Sequence, residues 1–121
     1  MKTGNLIRDK SFDFALKIVR TYQELVADKK EYVLSKQLLR SGTSIGANVE
    51  EAIGGQTRRD FYMKITIAYK EAREAMYWLK LMHAAGYLSE EKAHDLLEDV
   101  SRLYRIIGRI QLTTKQRSNN P

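Results

Sequence analysis

Residues 57–82 read TRRDFYMKITIAYKEAREAMYWLKLM, and this stretch decides the fold. Phe61, Ile65, Ala68, Ala72, Ala75, Leu79 and Met82 recur at alternating steps of four and three. Residues three and four apart stack on one side of an α-helix, so the run reads as a helix with a continuous apolar face. Tyr62, Tyr69 and Met76 lie beside that line and widen it. A second set sits roughly opposite: Met63, Ile67, Trp78 and Leu81, with Glu74 among them. A helix in a small bundle buries one stripe and leaves the other side polar. A second apolar line carrying a Trp therefore needs another cover. The expectation is a neighbouring subunit packed on Met63, Ile67, Glu74, Trp78 and Leu81. The plain alternative is a scatter of exposed hydrophobes, which proteins tolerate.

Working outward, Gly54, Gly55 and Gln56 make the turn before this helix. Thr57, with Asp60 three residues on, resembles a capping box in which Asp replaces the usual Glu. Ala84, Ala85 and Gly86 stop the helix, Gly being the usual residue past a helix end. The preceding helix is expected over about residues 31–53. Leu34, Leu38, Ser41, Ile45, Asn48 and Ala52 form its inner line, and Leu39, Val49 and Ile53 a second one. Its middle is rich in small residues: Ser41, Gly42, Thr43, Ser44, Gly46 and Ala47. Gly inside a helix costs roughly 1 kcal/mol against Ala. Either another helix approaches closely or the helix kinks near Gly42. Asn48 in an apolar seam should be hydrogen-bonded if buried, and such residues can fix helix register.

A first helix is expected to start near Asp9 as N-cap. Ala15, Ile18, Tyr22 and Leu25 form its line, flanked by Phe12, Val19 and Val26, and Asp28, Lys29 and Lys30 close it. A fourth helix opens at Ser89, with Glu90 and Glu91 favourable at the positive end of the dipole. Its seam is Leu96, Val100, Leu103, Ile107 and Ile110, and it should fray near Thr113. The fold class is all-α: an up-down-up-down four-helix bundle in a single domain. Residues 1–8 are the lead-in, 9–113 the bundle, and 114–121 a polar flexible tail.

The bulk numbers agree with that division. The chain has 121 residues, enough for one domain with its own core. Charged residues make up 30% and hydrophobic ones 43%, an ordinary globular balance. The one Pro is at position 121, so nothing interrupts the helical periodicity. There is no Cys, hence no disulfide framework and no thiolate metal site. The polar start MKTGNLIRDK shows no signal peptide, and no run of about 18 apolar residues could span a membrane. These features together lead us to expect a cytoplasmic protein.

Catalytic patterns are sparse. Glu91 and His94 form a Glu-x-x-His pair, but di-iron bundles need two such pairs and two further Glu, all facing inward. The other His is His83, and position 80 is Lys. Solvated first-turn residues account for Glu91 and His94, and a helix-terminal role accounts for His83. No Ser-His-Asp constellation, Walker loop, GxGxxG or HExxH is present. SGTSIG lacks the GK[ST] ending of a phosphate loop. The expectation is no enzyme, no cofactor and no metal.

Charge carries more information. There are 21 Lys and Arg against 15 Asp and Glu, a formal net charge of +6. A basic surface favours nucleic acid or an acidic partner. Arg102, Arg105 and Arg109 share one face of the fourth helix, and Lys115 and Arg117 extend it. Helical rise separates the three Arg by about 4.5 to 10.5 Å along the axis, so they could meet successive phosphates. The competing account is that these cations serve the helix dipole and that Glu98 pairs with Arg102 at i,i+4. Arg58 and Arg59 form a second basic spot, equally explicable by solubility. Repetition around an oligomer would multiply weak contacts.

These residues carry a family resemblance. QLLRSGTSIGANVEEA at 37–52 and FYMKITIAYKEAREAMYWLKLM at 61–82 resemble the small bacterial four-helix bundle family associated with 23S rRNA intervening sequences. The features are Gln37-Leu38, Arg40-Ser41, Ser44-Ile45, Asn48, Glu51, Phe61, Glu74, Trp78-Leu79 and the Gly86-Tyr87-Leu88 turn. The departure is Val49-Glu50-Glu51-Ala52, where many members read closer to Ile-Ala-Glu-Gly. The resemblance spans about residues 8–112. It implies an up-down bundle assembled as a ring-like homopentamer. A similar protein is the accessory protein of diversity-generating retroelements, a basic pentamer that binds nucleic acid and its reverse transcriptase. The expected partners are therefore further copies of the chain, RNA or DNA phosphate, and a nucleic-acid-processing protein. A membrane is not among them. The alternative is an oligomeric adaptor docking an acidic protein. A third reading is an enzyme with a site between subunits, built from Glu74 and Asn48.

Overall fold

The computed structural model describes residues 3–119, with side chains as far as Arg117. Four helices follow in order: α1 (Leu6–Lys29), α2 (Leu34–Ile53), α3 (Arg58–Ala84) and α4 (Glu90–Asn119). Among the described residues there is no strand. Each helix packs antiparallel on its neighbour in the chain, and α4 returns to α1, where contact is sparsest. This is the expected up-down-up-down bundle.

The core of α3 is the line read from sequence: Ile65, Ala68, Ala72, Ala75, Leu79 and Met82 are buried, and Phe61 is half-buried against them. Leu96, Val100, Leu103 and Ile107 face them from α4. On α1 the buried face is rotated from the expected one. Phe14 is buried and Phe12 is 53% exposed, with Ile7, Ser11, Ile18, Thr21 and Leu25 completing the seam. Two of these positions are polar, which hid the line. Ser11 and Thr21 enter the core because each hydroxyl donates to a carbonyl of its own helix, Arg8 at 3.1 Å and Lys17 at 2.8 Å.

Helix ends depart from expectation in three places. α1 starts at Leu6, not Asp9, because Asn5 is extended and its side chain accepts from Arg8 N–H. Asp9 instead accepts from the backbone N–H of Thr3 at 3.0 Å. α2 starts at Leu34, not at residue 31. Glu31 lies outside the helix and caps it, its carboxylate accepting the N–H groups of Val33, Leu34 and Ser35 at 3.1, 2.9 and 2.7 Å. α4 runs past Thr113 to Asn119. Thr114 is buried, and its hydroxyl donates to Ile110 O at 2.7 Å, so the expected frayed tail is helical through residue 119. Residues 120–121 of that tail, and 1–2 of the lead-in, lie outside the described residues.

The other ends follow the sequence. Thr57 Oγ1 accepts from Asp60 N–H at 3.0 Å, and Ser89 Oγ from Lys92 N–H at 3.1 Å. After α3, Gly86 takes φ +88°, Tyr87 N–H donates to Met82 O, and Gly86 N–H donates to His83 O. That is a Schellman closure, which needs the left-handed backbone Gly supplies.

The small residues of α2 reflect close approach, not a kink. A Cβ on Gly42 would lie 2.8 Å from Ile18 Cγ1, and one on Gly46 would lie 3.3 Å from the Ser11 carbonyl oxygen. α1 therefore rests directly on the α2 backbone. Asn48 does not lock the register. It is half-buried, and its Nδ2 donates to Ser44 O in its own helix at 2.8 Å. Val49 takes the buried position beside it.

Candidate nucleic-acid interface

The antiparallel order gathers distant charges. Residues 6–17, 44–70 and 104–117 occupy one half of the bundle's length, and 18–43 and 71–103 the other. The first half holds eleven Lys and Arg against five Asp and Glu; the second holds nine against ten. The excess positive charge of the helices thus sits at the end formed by the start of α3 and the close of α4.

The seven expected phosphate ligands are not equivalent there. Arg102 is engaged: a guanidinium nitrogen bonds Glu98 one turn back, and another lies 3.7 Å from Asp99. It belongs to the acidic half and closes a charge network on its own helix. Arg105 and Arg109 are exposed and have no carboxylate partner among the described residues. Arg58 Nη1 donates to the backbone carbonyl of Arg117 at 3.3 Å. That contact joins the two basic spots, 59 residues apart in sequence, into one end surface that also carries Arg59 and Lys115, both exposed. Nearby carboxylates are spoken for in part: Glu50 holds Arg8, with Arg8 Nη2 to Glu50 Oε2 at 2.8 Å.

The second face of α3 is only partly open. Met63 is 53% exposed, and Ile67 and Leu81 are also exposed. Trp78 is half-buried and lies edge-on to Tyr77, ring centroids 5.1 Å apart. Its indole Nε1 is buried without a hydrogen-bond partner among the described residues. Trp78 is therefore the least accessible of the apolar members, and Met63, Ile67 and Leu81 the most accessible. Tyr77, 57% exposed, flanks the same line and was not singled out in the sequence. Glu74 is half-buried and bonded to Arg40, which also reaches Glu71 at 3.1 Å, so this fork ties α2 to α3. Asn48 lies eight residues beyond Arg40 on α2, about 12 Å along the axis. Glu74 and Asn48 are not brought together within one subunit.

The opposite flank of α3 meets α4 through polar and aromatic groups. Gln111 Nε2 donates to Thr66 Oγ1 at 3.2 Å, and Ser101 Oγ to Met76 Sδ at 3.7 Å. Between these contacts Tyr69 and Tyr104 stack, with ring centroids 4.3 Å apart and planes 14° from parallel. Gly108 makes room, since a Cβ there would lie 3.0 Å from Tyr69 Cε1. Hydrogen bonding with Tyr104, then burial, holds the Tyr69 phenol above its ordinary pKa, while the Arg73 guanidinium pulls it down. The pairing of Tyr69 with Tyr104 was not read from sequence. Gly108 was the available signal, because a Gly inside a helix asks for a close neighbour just as Gly42 does.

Among the described residues no group of three or more His, Cys, Asp and Glu could hold a metal ion. His94 and Glu91 are exposed, and His94 Nε2 lies 3.1 Å from Glu98. No helix among the described residues is long and apolar enough to cross a membrane.

Comparison with known proteins places this bundle. Residues 4–109 match the model of the 23S rRNA-intervening sequence protein family. No curated protein matches the chain. A crystal structure from Bacteroides thetaiotaomicron VPI-5482, described as a protein with unknown function from the S23 ribosomal protein family, is similar at a TM-score of 0.85 and 45% identity. The alignment covers 87% of this chain and 97% of that one. The match runs from the lead-in to the basic end of α4, and the chain belongs to the 23S rRNA-intervening sequence protein family.

Proposed function

We propose that this protein is a homo-oligomeric bundle, a pentamer as the family resemblance implies, that binds the phosphate backbone of RNA. It acts by binding and carries no catalytic site. The observation that supports this most is the charge division. The positive excess is concentrated in one half of the bundle, and Arg105, Arg109, Arg58, Arg59, Lys115 and Arg117 cluster there. A field of one sign at one end attracts polyanions and raises their encounter rate. Arg102 drops out as a primary ligand because Glu98 and Asp99 already occupy it. Met63, Ile67 and Leu81 supply the apolar surface for subunit contact, with the half-buried Trp78 on the same side of α3. Repeating the basic end around a ring gives avidity to contacts that are weak singly.

The test is fluorescence anisotropy with labelled RNA and DNA on nuclease-treated protein of measured mass. Affinity should fall roughly 10³-fold or more between about 50 and 200 mM salt, as several phosphate contacts require. Arg58→Ala/Arg105→Ala/Arg109→Ala should keep the oligomer mass and lose most of the binding. Lys29→Ala/Lys36→Ala/Lys80→Ala removes the same charge from the other half and should bind nearly as wild type. Equal losses in both variants would reduce the effect to net charge. No binding at the lower salt would sink the reading and turn the search to an acidic protein partner.

A further inference from the structure

The Tyr69–Tyr104 stack lies at the inner edge of the basic half, on the seam between α3 and α4. It is not a closed core contact. Both residues are half-buried, so each keeps part of its surface open to solvent. The rings lie nearly parallel, and Gly108 leaves room for Tyr69, whose Cε1 would stand 3.0 Å from a Cβ there. A stacked, partly exposed aromatic pair offers a surface on which a nucleobase can stack. Cations border it. Arg73 stands one turn along α3 from Tyr69, and Arg105 follows Tyr104 on α4. Lys115 lies eleven residues beyond Tyr104, about 16 Å along the axis toward the basic end, on nearly the same face. All three are exposed, and none has a carboxylate partner among the described residues. The apolar line of Met63, Ile67 and Leu81 lies on the other flank of α3, so subunit contact there would leave this seam free.

We infer that the α3–α4 seam binds single-stranded nucleic acid. An unpaired base stacks on the Tyr69–Tyr104 pair, while Arg73 and Arg105 hold the flanking phosphates and Lys115 meets the strand further toward the basic end. This rests on the nucleic-acid reading above and narrows it to unpaired strand. Bases within a duplex are stacked on one another and cannot reach the rings, and stacking on an aromatic side chain tolerates any base.

The experiment uses the full chain and three labelled probes of equal length at about 50 mM salt: an unstructured RNA strand, an abasic strand and an RNA duplex. The base-bearing strand should bind about tenfold or more tightly than the abasic one, in line with roughly 1–3 kcal/mol per stacked base. Tyr104→Leu should erase that preference while leaving abasic-strand and duplex affinity within about twofold. The comparison on the wild-type protein needs no variant, so it stands even if Tyr104→Leu fails to fold. Equal affinity for base-bearing and abasic strands, with the steep salt dependence intact, overturns this inference and leaves the phosphate reading standing. Failure to bind any probe overturns both.

Discussion

α1 is held on one side by contact and on the other by charge. Against α2 it sits on backbone: Ile18 over Gly42 and the Ser11 carbonyl over Gly46. Against α4, where helix contact is sparsest, the named polar links are ionic. Lys17 Nζ reaches Asp99 at 2.6 Å and Asp95 at 3.3 Å, and Lys92 stands 4.0 Å from Glu24. The first seam depends on missing atoms and should be indifferent to salt. The second depends on screened charges and should not be. One helix thus has a fixed edge and an adjustable one.

The largest effect should come from filling the tight seam. Gly42→Val places its Cβ within 2.8 Å of Ile18 and adds two methyl groups beyond it. Overpacking of this kind costs typically 1–3 kcal/mol and at a backbone contact can prevent folding. Gly46→Ala is the internal comparison. Its Cβ would meet the Ser11 carbonyl at 3.3 Å, and the gain in helix propensity of roughly 1 kcal/mol works against that crowding. Urea melts should show Gly42→Val strongly destabilised and Gly46→Ala near wild type. Comparable losses at both sites would mean that α1 does not rest on Gly42 more closely than on Gly46.

Next in size is the corner that joins the same two helices. Glu31 caps α2 with three backbone hydrogen bonds. Burial of the carboxylate opposes its ionisation, but these bonds outweigh that, and its pKa lies below the ordinary value of 4.5. A depressed pKa means that the stabilisation is present above about pH 4.5 and is lost as pH falls through the folded-state value. Glu31→Gln should cost on the order of 1 kcal/mol at neutral pH, as lost caps do. The gap between wild type and variant should narrow as pH falls below 4.5. A gap that stays constant down to pH 3 would show that the charge of Glu31 is not what caps the helix.

These residues also show what the sequence could disclose. The core of α3 and α4 was legible because the periodicity there is apolar throughout, from Ile65 to Met82 and from Leu96 to Ile107. The α1 face escapes apolar periodicity because Ser11 and Thr21 are polar in type yet buried, their hydroxyls satisfied within the helix. Glu is a good helix former, so nothing local distinguishes a capping Glu31 from one inside α2. The glycines announced a close approach but not its partner, which lies on another helix. The site divides the same way. Pairing of Arg102 with Glu98 is an i,i+4 relation and was readable. The meetings of Arg58 with Arg117 and of Tyr69 with Tyr104 depend on the return of α4 along α3. The first leaves no mark in either segment, and the second leaves only Gly108, which asks for a close neighbour without naming it.

The smallest effect belongs to the adjustable edge. Hydrogen bonding to Asp99 raises the Lys17 pKa against the opposing cost of burial, with Asp95 adding to it. The pair is only partly shielded: the Lys17 side chain is 42% exposed and that of Asp99 24%. Exposed ion pairs contribute about 0–1 kcal/mol, and solvent screening holds this one within that range. Lys17→Met keeps the stem that packs along α1 and removes the charge. It should lower the melting midpoint slightly at low salt and match wild type near 1 M salt, where the Debye length is about 3 Å. A deficit that persists unchanged at high salt would mean that Lys17 closes the α1–α4 seam by packing. The two edges of α1 would then differ only in tightness, not in kind.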